Sequence, residues 1–154
     1  MGDPIFFVMF RTFLMLILMS ALTGCVGSWA FPDTASQVDF SGPEGKTGWS
    51  KYEQSAFFPG VSRQAVYDAA KDAMGATGFA LRRADISAGV VVGEHGMTAH
   101  DWNIMAAIYF REESGGIRIR VQAEGSKDIG FSGDVTSGGW TGAMINTMRN
   151  RLGR

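Results

Sequence analysis

The chain has 154 residues, 45% of them hydrophobic, and a formal net charge of −1 from 14 Lys and Arg against 15 Asp and Glu. This is the length of one small domain with a modest core, and the charge balance argues against a protein that holds nucleic acid chiefly by neutralising phosphates. Its single cysteine excludes an intramolecular disulfide, so any exported part must stand on packing alone.

Arg11 precedes an unbroken apolar run, Phe13-Leu14-Met15-Leu16-Ile17-Leu18-Met19, which passes through Ser20-Ala21 into Leu22-Thr23-Gly24-Cys25. A basic residue, an apolar stretch of about 7 to 15 residues and small residues before a cleavage point make an export signal. Asp3 sits badly in such a signal, whereas a chain beginning Met9-Phe10-Arg11 places positive charge directly ahead of the apolar run, so translation from Met9 is expected. Leu22-Thr23-Gly24-Cys25 resembles the lipobox of bacterial lipoproteins. The resemblance implies recognition through Leu22, Thr23 and Gly24, cleavage between Gly24 and Cys25, and a thioether-linked diacylglycerol on the Cys25 sulfur. In many bacteria it also implies an acyl chain on the new amino group. Two other readings stay open: an uncleaved signal anchor over residues 5–26, which approaches the length that crosses about 30 Å of hydrocarbon, and a buried structural Cys25. Val26 follows the cysteine where Asp would resemble the inner-membrane retention signal of enteric bacteria, so a Gram-negative host implies the outer membrane.

With residues 1–24 as the signal, roughly 130 residues remain, a common size for one domain. Residues 25–48 carry Pro32, Gly42, Pro43 and Gly45 with several Ser and Thr and no sustained period, which predicts a lipidated flexible tether. Trp29 and Phe31 in it suit either a lipid interface or packing back on the domain.

The globular domain is then 49–154. Lys51 to Phe58 reads as a strand closed by Pro59-Gly60. Ser62 is placed to cap a helix running to about Thr77, with Val66, Ala69, Ala70, Ala73 and Met74 on one face and Gly78 at its end. Phe79 and Leu81, then Val90-Val91-Val92, bracket a hairpin connection from Asp85 to Gly89. After a loop from Gly93 to Asp101, Trp102 to Arg111 alternates as a long strand. In the next strand Ile117, Ile119, Val121 and Ala123 interleave with Arg118, Arg120, Gln122 and Glu124, which predicts one core face and one wet face. Trp140, Met144, Ile145, Met148 and Leu152 then fall at helical spacing, with Arg149, Arg151 and Arg154 suited to the helix's carboxyl end.

The expected fold is α+β: a two-layer sandwich with an antiparallel sheet of about four to five strands and two helices on one face, in the order β-α-β-β-β-(β)-α. That order, joined to the lipid anchor, resembles the helix-grip arrangement of the outer-membrane assembly lipoprotein C family and other small envelope lipoproteins.

Both histidines lie in Glu94-His95-Gly96-Met97-Thr98-Ala99-His100-Asp101. His95, His100 and Asp101 are the candidate metal ligands, but their spacing matches neither a helical His pair nor a zinc ribbon, and solvated turn residues explain them better, so no metal is expected. Ser126 and Ser132 sit beside glycines as turn residues, and no nucleophile elbow, Walker motif or dinucleotide fingerprint occurs, so neither catalysis nor a cofactor is expected. Arg111, Arg118 and Arg120 form a basic stripe that Glu112, Glu113 and Glu124 can neutralise. The functional expectation is a membrane-anchored, non-enzymatic envelope lipoprotein. It docks on an envelope protein partner through a sheet edge, an open sheet face or its tether. The alternative is a periplasmic small-ligand-binding module or small hydrolase using the Glu94 to Asp101 loop.

Overall fold

A computed structural model describes residues 31–48, 50–96, 103–125 and 139–153. These residues belong to one compact unit that begins at Phe31. Among them, six strands form one antiparallel sheet: β1 (Gly45–Gly48), β2 (Lys51–Pro59), β3 (Ala80–Asp85), β4 (Val90–His95), β5 (Ile104–Glu113) and β6 (Gly116–Gly125). Their spatial order is β1-β2-β6-β5-β4-β3. Helix α1 (Arg63–Ala76) joins β2 to β3, and α2 (Gly139–Leu152) follows β6.

The α+β class, the antiparallel sheet and the two helices are as expected. The strand count is not: six replace four to five, and the order opens with two strands before the first helix. The additional strand, Gly45-Lys46-Thr47-Gly48, has no apolar period, and three of its four residues are exposed. It forms because β2 offers a free edge, and its register slips between Lys46 and Gly48.

α1 starts where Ser62 Oγ accepts from Ala65 N at 3.2 Å. It stops at Gly78, whose φ of 84° a glycine adopts without the Cβ clash that other residues meet there. Its buried face, Val66, Ala69, Ala70, Ala73 and Met74, joins Met144, Ile145 and Met148 of α2 over the same side of the sheet. There they meet Phe58 of β2, Ile108 and Phe110 of β5, and Ile117, Ile119 and Val121 of β6. Complete burial of each such large side chain contributes about 1.5–3 kcal/mol, an upper bound on the area lost from water. Thr141 Oγ1 donates to Gln54 Oε1 at 2.6 Å and ties α2 to β2.

The opposite sheet face is not wet. Residues 31–44, which the sequence reading assigned to a flexible tether, cross it as a strap containing a 3-10 turn at Ala35–Gln37. Ala35, Val38 and Phe40 are buried against Val90, Val92, Ala107 and Tyr109, and half-buried Phe31 packs with them. The folded unit therefore begins near Phe31 and not at 49. Arg120, expected to face water, is only 1% exposed. Its Nε donates to Glu53 Oε2 at 2.8 Å, and Nη1 donates to Ser55 Oγ at 3.0 Å. Its remaining donors reach the strap, Nη1 to Gly42 O and Nη2 to Pro43 O. The alternation of β6 is real, but the cover on its polar side is a chain segment with no period of its own.

Candidate functional site

Leu22, Thr23, Gly24 and Cys25, the residues of the lipobox resemblance, lie outside the described residues, as do His100, Asp101, Ser126 and Ser132. No helix among the described residues is long and apolar enough to cross a membrane.

Of the histidine-bearing segment, Glu94 and His95 are described, and they belong to β4 and not to a loop, with Glu94 paired to Met105 and His95 to Ile104. Because side chains alternate across a strand, these neighbours part company. Glu94 turns to Asn103, whose Nδ2 donates to Oε1 at 2.9 Å, and to Arg82, whose Nη2 lies 2.6 Å from Oε2. The Asn103 amide and then the Arg82 guanidinium hold its carboxyl below the usual range, so it remains a committed anion. His95 packs its ring against Phe79 and Trp140, with centroids 5.4 and 4.9 Å away. That contact closes one end of the helix–sheet interface. Among the described residues no group of three or more His, Cys, Asp or Glu is gathered to hold a metal ion.

The basic stripe resolves into separate ion pairs. Glu113 accepts from Arg118 Nε at 2.7 Å through Oε2 and from Arg111 Nη2 at 2.8 Å through Oε1. These two guanidiniums, Arg118 first, lower its carboxyl pKa. Arg111 also lies over the Phe40 ring, 4.3 Å from its centroid. For Glu53, burial alone would raise the carboxyl, but hydrogen bonds from Lys51 and Arg120 outweigh it and leave the pKa lowered. Arg120 is thus a clamp on the strap and not a surface cation.

Among the described residues a groove of about 390 Å³ is lined by neither Glu94 nor His95. Thr34, Ala35 and Ser36 of the strap form one wall, and Arg63 from the first turn of α1 forms another. Ser87 and Ala88 of the β3–β4 turn and Phe110 and Arg111 of β5 complete it. Gly89 lets that turn approach β5: a Cβ there would sit 2.4 Å from Phe110 O, and its φ is 70°. Sequence reading missed this groove because its walls come from four segments far apart in the chain, none of which carries a motif. The single local hint is Asp85, whose Oδ1 accepts from Ser87 N and Ala88 N and shapes the turn.

Compared with protein-family models and with curated proteins, the chain matches none.

Proposed function

We propose that the chain is exported, lipidated on Cys25 and held at a bacterial envelope membrane, the outer one in a Gram-negative host, where its α+β unit is a non-enzymatic accessory domain for an envelope protein. The observation that carries this reading is the apolar run ending in Leu22-Thr23-Gly24-Cys25 directly ahead of a unit that folds from Phe31. Between Cys25 and Phe31 even a fully extended chain reaches only about 20 Å. An anchored unit therefore works close to the bilayer, not at the end of a long tether.

Of the three docking routes expected, the open sheet face is taken by the strap and the tether is shortened. The sheet edge remains. Among the described residues no strand pairs beyond β3, and Leu81 on it is the exposed large hydrophobic side chain, at 47%. Arg82 and the register slip between Leu81 and Arg83 guard that edge against indiscriminate pairing. The partner is therefore an extended segment of an envelope protein, added as a further strand.

Two measurements test the reading. Growth with an alkyne fatty acid labels the wild-type chain and not Cys25→Ala; equal labelling of both refutes the anchor. A photocrosslinker at Leu81 captures one envelope protein in a manner lost with Arg82→Pro, which removes an edge N–H, while the same group at exposed Ala143 does not. Equal capture from both sites refutes edge docking.

A further inference from the structure

We infer that the groove between the strap and the start of α1 binds a small organic anion, its acidic group on Arg63 and its apolar body against Phe110, Ala35 and Ala88. This goes beyond the anchored-accessory reading and does not depend on it. At about 390 Å³ the groove falls within the range of small-ligand sites.

The charge of Arg63 carries the argument. Nε donates to Ile86 O at 2.9 Å and Nη2 to Ser87 O at 3.1 Å, while the guanidinium carbon stands 5.2 Å from the Phe110 ring centroid. All three partners are neutral. Among the described residues no carboxylate pairs with Arg63, and the groove lining contains no acidic side chain. The acids of the neighbouring segments are engaged elsewhere, Asp85 with Ser87 and Ala88, and Glu113 with Arg111 and Arg118.

A fixed guanidinium held by carbonyls is oriented but not neutralised, and it offers a directed donor pair to an oxyanion. Arg111 is on the same lining but is paired with Glu113, so among the described residues Arg63 is the groove's unpaired cation. Thr34 Oγ1 and Ser36 Oγ share one hydrogen bond of 2.7 Å, which uses a single hydroxyl proton and leaves the other to donate. The remaining wall is apolar, which selects an anion carrying a hydrocarbon or aromatic body over a bare inorganic ion. The anionic group is a carboxylate or a phosphate monoester, each of which can present two oxygens to one guanidinium.

The test titrates the full chain, in a neutral detergent, with benzoate, phenyl phosphate, inorganic phosphate and benzyl alcohol while following the amide resonances of Ser36, Ser87 and Ala88. At least one aromatic anion is expected to shift these resonances with a Kd about tenfold or more below that of benzyl alcohol and of inorganic phosphate. The stronger of the two aromatic anions identifies the acidic group. Absence of shifts, or equal affinity for benzyl alcohol, overturns the assignment. Arg63→Gln should cost about tenfold in anion affinity. Because Arg63 also supports the β3–β4 turn, Ser36→Asp at an exposed position provides a second variant. It should weaken the aromatic anion about tenfold and leave benzyl alcohol unchanged; unchanged anion affinity overturns the proposal.

Discussion

The two faces of the sheet are buried by different means. On one, two regular helices present Val66, Ala73, Met144 and Met148 to a continuous apolar surface. On the other, an irregular strap contributes a few apolar anchors, Ala35, Val38 and Phe40, and is otherwise fastened by polar groups that reach its carbonyls. A helix satisfies its own backbone and needs only a greasy stripe to dock. A strap without regular structure leaves its carbonyls to be satisfied by whatever lies beneath it, so its face must carry buried donors. Arg120 and Tyr109 are those donors, and partly exposed Arg83 adds a third.

Substitutions on each face can break or sharpen that contrast. The largest effect belongs to the helix face: Phe58→Ala removes a side chain 1% exposed and should cost about 4 kcal/mol of unfolding free energy, measured by denaturant titration. Next is Arg120→Met, expected to cost about 3 kcal/mol because Glu53 stays buried with only part of its compensation. Adding Glu53→Met to it should recover much of that loss, since an unpaired buried charge is costlier than an apolar pair. Were the double variant as unstable as the sum of its singles, the strap face would be held by something other than this clamp. Tyr109→Phe deletes one hydrogen bond, from the hydroxyl to Pro32 O at 2.9 Å. Because Arg83 Nη2 also donates to that carbonyl, the loss should be only about 0.5–1 kcal/mol, with amide exchange quickening in the strap before the helices.

The smallest effect is a pH dependence. The Glu53 carboxyl is held below its ordinary 4.5 in the fold, so the native state binds its proton less readily than the unfolded chain. Its contribution is present above pH 4.5 and is lost as pH falls through the depressed value. Stability followed below pH 5 should therefore fall less steeply in Glu53→Gln than in the wild type; equal slopes would remove Glu53 from the acid response.

What could be read in advance follows the same division. The helix face was legible because period 3.6 in α1 and α2 and period 2 in β6 are each visible within a dozen residues. The cap at Ser62 and the stop at Gly78 were legible for the same local reason. The strap was not, since Pro32, Gly42 and Pro43 look alike in a loose linker and in a chain pinned by its carbonyls; what distinguishes them is Arg120, roughly 80 residues away in sequence. Alternation in β6 correctly identified which side chains oppose the helices, but a polar residue opposite a core residue can be solvated or clamped, and period alone does not separate the two. At the level of sites, Glu94 and His95 attracted attention as neighbours, yet strand geometry sends them to different partners. Arg63 drew none, because an arginine in the first turn of an amphipathic helix is an ordinary surface residue until the strap and the β3–β4 turn close around it.

The strap also has a mechanical consequence. It runs from Pro32 and Asp33, held by Tyr109 and Arg83, across the sheet to Gly42 and Pro43, held by Arg120, and only then enters β1. Tension applied ahead of Phe31 must therefore undo these fastenings one after another before it reaches the first strand, and each release pays out slack. The segment is a serial fuse: a protein tugged from that end yields its cover in steps while the six-stranded sheet and its helices stay whole.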